Sequence, residues 1–464
     1  MKKCKYYVCC IILIAMFVTS SCGNHKNTQQ SDTHQGSGAE TPDIAQQPGL
    51  AEKGNHGSVL ASYGVVLPVS RPSIYVDVAG YASGREKKVI FAGDRHGQTF
   101  DVVRSSDGEV VYTGIIPRGE VDPLSGQVLS VGDFTVFDEA GTYYIHTDIV
   151  GQSYPFVIAE DIYENLFLSM LKNFSDSNMQ ESPEGVCDMS FGMHEVMYAL
   201  QCNGALFEAA YQHLDQGEQD QQLVTQLLYM GKWLSSRQKS DGSMYGDYNA
   251  TAAFCGIMAM SRDMFGRYEA NVSREYQQAA DAAWSWLEQQ PCETDSEKMA
   301  RFYAAAQLFK AEGSAEYKTI AEQFLREKTQ DYSSEGFVFY GVLAYISAAK
   351  GTDRDLCTYI MRDMVDRVEA ICEEVEQDSI FGTGTRTVEE SISNMLHLSF
   401  VNYMTPSKEY TVIIENTIKY MGGLNEGGIS YIGADGTQMQ RFEWKGIMLF
   451  SMSDMIGNIT QLEE

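Results

Sequence analysis

Hydrophobic and polar positions change their period once along this chain, near residue 160. Between 72 and 160, apolar residues alternate with polar ones in short runs: SIYVDVAGY, KKVIFAG, QTFDVVRS, EVVYTGII, GDFTVFD, GTYYIHTD and SYPFVIA. Turns such as Ser106-Asp107-Gly108 and Glu139-Ala140-Gly141 separate them. A period of two puts alternate side chains on one face of a strand, so seven short strands with regular turns predict a β-sandwich. From 161 onward, apolar residues recur every three or four positions, the period of helices that bury one face. The pattern predicts twelve helices, near 161–173, 192–214, 219–238, 250–265, 272–289, 297–311, 315–329, 335–349, 353–375, 387–404, 408–421 and 443–457, many bracketed by stops such as Pro291, Gly313, Gly351 and Pro406. Short links make consecutive helices antiparallel neighbours, so twelve form six hairpins, closed as an (α/α)6 barrel or open as a solenoid. No fixed-period sequence repeat supports the solenoid.

The region ahead of the strands has a different character. Residues 1–22, MKKCKYYVCCIILIAMFVTSSC, join Lys2, Lys3 and Lys5 to an apolar run from Tyr6 to Val18 and then to small residues. This is the pattern of a secretory signal, and the run is too short for a membrane-spanning helix. Cys22, between Ser21 and Gly23, resembles the lipid-modified cysteine of bacterial lipoproteins, which implies an exported, membrane-anchored protein. The alternative is a plain signal peptide with a nearby cut. Residues 23–62 are rich in Gln, Asn, Gly, Ser, Thr and His and hold too few apolar groups to order themselves, so they read as a tether.

A chain of 464 residues, 44% hydrophobic, suggests two domains with ample cores. Its formal charge of -29 argues against nucleic acid and anionic membrane surfaces, leaving membrane contact through a lipid anchor only. Neutral glycans stay compatible. Beyond Cys22 stand Cys187, Cys202, Cys255, Cys292, Cys357 and Cys372, with no CxxC pair and no histidine at ligand spacing, so zinc is not expected and free thiols are. No phosphate loop, nucleotide fingerprint, nucleophile elbow or EF-hand spacing occurs, and neither metal nor cofactor is expected.

The stretch Asp188 to Tyr198, DMSFGMHEVMY, resembles the DVSGGWHDAGD motif of glycoside hydrolase family 9, which contains many bacterial endoglucanases. Asp188, Ser190, Gly192 and His194 match; Met193 replaces the tryptophan, Glu195 the first catalytic aspartate and Tyr198 the second. IYVDVAGY, DGEVVYTG, DPLSGQ, VGDFTVF, AGTYYI and SYPFVIA resemble, in that order, the immunoglobulin-like domain preceding many family 9 catalytic domains. NATAAFCGIMAMSRDMF, AADAAWSWLEQQP, FYAAAQLFKAEGSAEYKTIAEQF and TIKYMGGLNEGGISYIG, with Gly423, Asn425 and Gly433, resemble its helical hairpins and a following loop. The resemblance implies an immunoglobulin-like β-sandwich over 72–160 and an (α/α)6 barrel over 161–464, hydrolysing β-glucan or cellulose-like polysaccharide by inversion. The chain departs from the family in its loops. One gap lies between SDGSMYGDY and NATAAF, and after Gly433 the family's His-His-Arg sugar-binding motif is absent, leaving ADGTQMQRFEW.

Inverting glycosidases need one carboxylate to activate water and one carboxylic acid to protonate the leaving oxygen, about 6.5–9.5 Å apart. The resemblance gives Glu195 the base position, displaced by an added methylene, and misplacement of about 1 Å can cost roughly a hundredfold in rate. Tyr198 cannot replace a base, because a phenol of pKa about 10 is neutral at pH 7. Glu443, in QRFEWKGIMLFSMSDM, stands before the last helix where the family places its proton donor. Asp188 and His194 become substrate-binding candidates, and Tyr245 and Tyr248 in a Gly- and Asp-rich loop become aromatic platforms. Each has a plainer reading: Glu195 and Glu443 as helix-start acids, Asp188 as a turn residue, His194 as a structural histidine. Ser190 reads as the cap of a helix beginning near Phe191, while Trp233, Trp284, Trp286, Tyr332 and Tyr340 read as core. Altered acids and trimmed loops support a second expectation: an inactive glycan-binding or structural lipoprotein on the same scaffold.

Overall fold

The computed structural model describes residues 73–175, 179–212, 223–265, 270–327, 332, 336–432 and 439–462. The signal, Cys22, the tether and Gly433 lie outside the described residues.

The first part holds ten strands: β1 (Ile74–Tyr75), β2 (Tyr81–Ala82), β3 (Lys88–Ala92), β4 (Thr99–Arg104), β5 (Val110–Ile115), β6 (Glu120–Val121), β7 (Val128–Asp133), β8 (Gly141–Thr147), β9 (Gly151–Gln152) and β10 (Phe156–Ala159). They form one sheet in the order β1-β3-β7-β6 and another in the order β2-β10-β8-β4-β5, with β9 against β8. All pairs are antiparallel except β10 with β2. Alternation fills the space between the sheets: Phe91, Phe100, Phe134, Tyr143 and Phe156 are buried, with Tyr81 meeting Phe134 and Phe156 edge-on at 5.1 Å. One strand differs from the expectation over GDFTVFD. The strand there is Val128–Asp133, because Leu129 and Val131 pair with β3, and the Asp133 carboxylate accepts the Thr135 N–H to turn the chain away.

The second part holds twelve helices among the described residues: α1 (Ile162–Ser175), α2 (Pro183–Gln212), α3 (Leu223–Ser235), α4 (Tyr248–Phe265), α5 (Ala270–Gln289), α6 (Asp295–Glu312), α7 (Ala315–Glu327), α8 (Phe337–Ile346), α9 (Arg354–Glu376), α10 (Val388–Met404), α11 (Lys408–Met421) and α12 (Phe442–Leu462). Their burial alternates. In α9 the buried residues follow a one-faced stripe, Leu356, Cys357, Ile360, Met361, Met364, Val368 and Ile371. In α10 every residue from Ser391 to Asn402 is buried, as is every residue of α8 from Val338 to Tyr345. Helices buried on all sides must be surrounded, so the even-numbered helices form an inner ring and the odd-numbered ones an outer layer. The ring runs α2-α4-α6-α8-α10-α12 and closes back on α2; Phe339 of α8 meets His397 and Phe400 of α10 at 5.2 and 6.0 Å. This is the expected (α/α)6 barrel behind an immunoglobulin-like sandwich.

Helix α2 begins at Pro183, nine residues before its expected start. Proline at a first helical position loses no hydrogen bond, and the Ser182 hydroxyl accepts the Gly185 N–H. Ser190 is therefore not a cap: it lies inside α2, buried, with its hydroxyl unpartnered.

Sandwich and barrel meet through buried charge. Arg386 donates to Asp122 of the sandwich at 2.6 and 3.0 Å and to Asp378 at 2.7 and 2.8 Å. Glu415 of α11 is held by Arg85, by Lys419 at 3.0 Å and by the Tyr163 hydroxyl at 2.6 Å. At Gly422 a Cβ would lie 2.1 Å from the Asp77 carboxylate, so only glycine fits.

Candidate active site

The site is built where α2 and α12 cross. Asp188, Gly192 and Glu195 recur at helical spacing on one face of α2, and on α12 Gly446 lies one turn beyond Glu443. A Cβ at Gly192 would lie 2.5 Å from the Phe442 carbonyl oxygen, and one at Gly446 would lie 2.7 Å from the Gly192 carbonyl oxygen and 2.9 Å from Glu195 Cβ. The two glycines let the backbones approach and set Glu195 beside the start of α12. Asp188 completes the junction: its two oxygens accept the N–H groups of Phe442 and Glu443 at 2.8 and 3.0 Å. It caps α12 from a neighbouring helix, satisfying donors that a helix start leaves unpaired.

Glu443 and Glu195 thereby converge. The Tyr340 hydroxyl of α8 donates to Glu443 at 3.2 Å, and Tyr340 also acts on Glu195, whose carboxyl it pulls down. Arg441 pairs with Glu443 from the outside, stands 3.8 Å from Asp188 and covers the Trp444 ring at 5.0 Å. Glu195 is 1% exposed and Glu443 8%. Burial, then the neighbouring Glu443, push the Glu195 carboxyl up to about 8 against the weaker pull of Tyr340, so it keeps its proton at neutral pH.

Aromatic rings cover the pair. Phe191 stacks on Tyr340 at 4.7 Å and meets Phe337 at 5.0 Å and Tyr303 at 5.8 Å. His194 lies 4.8 Å from the Tyr340 ring, 2% exposed, and burial holds its imidazole down to about 3, hence neutral. The His194 Nδ1 and Glu195 Oε1 atoms are buried without hydrogen-bond partners. Tyr198 meets Phe400 and Phe450 at 6.2 and 5.7 Å, a core aromatic one turn beyond Glu195. Between sandwich and barrel a small pocket is lined by Glu86, Lys88, Ile380, Phe381, Asn416, Lys419 and Leu424, none of them a residue of the acid pair.

Of the residues singled out from sequence, Asp188, His194, Glu195 and Glu443 come together here. Tyr245 and Tyr248 lie at the start of α4 instead. Tyr248 is buried, 6.4 Å from the Trp286 ring, and presents no open face, which corrects its reading as a platform. Tyr245 is half-buried and adopts the left-handed conformation, φ 57°, unusual for a side-chain-bearing residue. Gly446 and Arg441 carry no sequence signal of a site role, and Tyr340, read as core, lies at the acid pair. Tyr340 sits in the apolar run FVFYGVLAY, whose pattern signals only core. The six cysteines beyond Cys22 are free thiols, and among the described residues no cluster of His, Cys, Asp or Glu is arranged to hold a metal.

Residues 69–152 match the cellulase N-terminal Ig-like domain. Over 77% of its length the chain is 21% identical to Endoglucanase D of Acetivibrio thermocellus, covering 72% of that protein. Among solved structures, a metagenome-derived glycoside hydrolase family 9 endoglucanase superposes with a TM-score of 0.65 at 16% identity, over 82% of this chain and 98% of that one. Bacteroides ovatus GH9 gives a TM-score of 0.63 at 14% identity, over 82% and 98%. AaCel9A in complex with cellobiose-like isofagomine gives 0.59 at 15%, over 84% and 100%. The expected resemblance to family 9 thus holds in both parts: a cellulase-type immunoglobulin-like domain stands before a helical domain with the fold of family 9 endoglucanases.

Proposed function

We propose that this chain is an exported lipoprotein of the cellulase type, anchored through Cys22, that engages β-linked glucan or a related polysaccharide without cleaving it by inversion. The observation that supports the non-cleaving part is the closed acid pair. A base must be ionised and must reach a water, whereas Glu195 is buried beside Glu443 and holds its proton at neutral pH. The polysaccharide part rests on likeness to Endoglucanase D and to AaCel9A, which is seen with cellobiose-like isofagomine. Trp444 and Tyr245, at the starts of the inner helices α12 and α4, and Trp286, in the last turn of the outer helix α5, are only partly buried and supply rings for a glycan.

The test is co-sedimentation with insoluble cellulose alongside reducing-sugar release from β-glucans. Retention on the polymer with no sugar release is expected; release that disappears in Glu443→Gln would refute the non-cleaving reading. Lipid labelling that persists in Cys22→Ala would remove the anchor. A second reading, inverting hydrolysis with Glu195 as base and Glu443 as acid, is favoured by the convergence of two acids distant in sequence at one helix crossing. It requires that Tyr340 leave the space between them.

A further inference from the structure

We infer that Tyr340 is a built-in stand-in for a sugar, filling the subsite between Glu195 and Glu443 and setting what the site excludes, and that its removal opens a pocket for a β-linked glucose unit. The inference rests on the closed-site reading above. Tyr340 is a six-membered ring bearing one hydroxyl, the outline of a pyranose with one of its hydroxyls. That hydroxyl takes the place of a glycosidic oxygen, 3.2 Å from Glu443. The ring lies on Phe191 at 4.7 Å with 26° between planes, as a sugar face lies on an aromatic platform.

Among the rings around it, two polar atoms stand without partners. His194 Nδ1 and Glu195 Oε1 are buried and unpartnered, on residues 2% and 1% exposed, and His194 touches the Tyr340 ring at 4.8 Å. Such atoms are costly, because each buried polar group without a partner forfeits its hydration. Sugar hydroxyls supply such partners. Asp188 and Arg441 hold Glu443 in place from the α2 side and from solvent, so the pocket walls do not depend on Tyr340 itself.

The experiment uses the full chain with Tyr340→Ala and Tyr340→Phe, and cellobiose as the probe in isothermal titration calorimetry, with thermal melts to verify folding. Tyr340→Phe keeps the ring and loses only the hydroxyl, so it stays closed; wild type and Tyr340→Phe are expected to give no binding heat. Tyr340→Ala is expected to bind cellobiose with a Kd of roughly 1 mM, a value that ligand-sized polar contacts reach. Adding Glu443→Gln to it should weaken binding about tenfold, the loss of a charged hydrogen bond. A folded Tyr340→Ala that gives no cellobiose heat, or a wild type that binds as tightly, overturns the inference. If Tyr340→Ala does not fold, Phe191→Ala opens the same stack from α2 and is judged by the same result. Cleavage of β-glucan by the wild type would refute the closed-site reading, whereas an inert wild type with a silent Tyr340→Ala refutes only the role of Tyr340.

Discussion

Two groups of buried carboxylates in this molecule have opposite fates. At the joint between sandwich and barrel, Asp122 and Asp378 share Arg386, and Glu415 has Arg85, Lys419 and Tyr163. Burial pushes these acids up, but the cations and hydrogen bonds outweigh it: Asp378 lies well below the usual carboxylate range and Glu415 is held down to about 2. At the crossing of α2 and α12, Glu195 is as deeply buried, its nearest charged neighbour is another carboxylate, and its carboxyl is pushed up to about 8. For these acids the depth is similar and the neighbours set the sign; at Asp77 of the same joint burial outweighs Lys419 and the carboxyl rises to about 8. The buried cations stand where two domains must be locked in register, whereas at the acid pair Arg441 reaches only Glu443, from its outer side, and Glu195 faces Glu443 and a phenol. A glycosidase needs one acid of such a pair to stay protonated.

Breaking the joint should have the largest effect. Arg386→Ala leaves Asp122 and Asp378 buried without a cation and should destabilise by about 3–5 kcal/mol. A shift in urea midpoint worth less than roughly 1 kcal/mol would show that the joint is not where buried charge matters. Next comes the crossing: Gly446→Ala drives a methyl into the Gly192 carbonyl and Glu195 Cβ, costing about 1–3 kcal/mol and separating the acids. An unchanged melting temperature would contradict the close approach.

The pH response separates the two regions. Glu195 is protonated in the fold up to about 8, while in the unfolded chain it ionises near its ordinary 4.5. Above the lower value the unfolded state sheds a proton that the folded state keeps, so stability is full below about 4.5 and falls as pH rises toward 8. Glu195→Gln should flatten the decline in melting temperature across that window. It should not abolish it, because burial also raises Asp77 to about 8 and Asp454 to about 7. A slope identical to wild type would mean that Glu195 is ionised in the fold. The smallest effect is expected from Asp188→Asn, which keeps one acceptor for the start of α12 and weakens the cap by about 1 kcal/mol in denaturant melts.

Much of the architecture was legible because it follows from period. The one-faced stripes and the stops at Pro291, Gly313 and Pro406 locate the helices near their observed places, and Glu443 was placed correctly at the start of the last one. The early start of α2 had a signal that was passed over, Ser182-Pro183-Glu184, a cap followed by a first-turn proline and acid. The state of the site was not legible. Gly446 reads as a weak point in a helix until the backbone it admits is known, and Tyr340 reads as core because the residues it touches come from α2 and α12. Facts that arise where distant helices meet have no local pattern.

The crossing also has a kinetic meaning. Asp188 and the start of α12 are separated by 254 residues, and Asn203 of α2 donates to Ser453 across 250. A chain made from its N-terminus must hold the first inner helix with one flank uncovered until the last helix arrives. Contacts of such separation form late and slowly, and the apolar flank of α2 is open to wrong partners meanwhile. Ring closure is thus the step at which this protein is most exposed to misassembly, and loss of the final helix should leave an aggregating chain and not a smaller folded one.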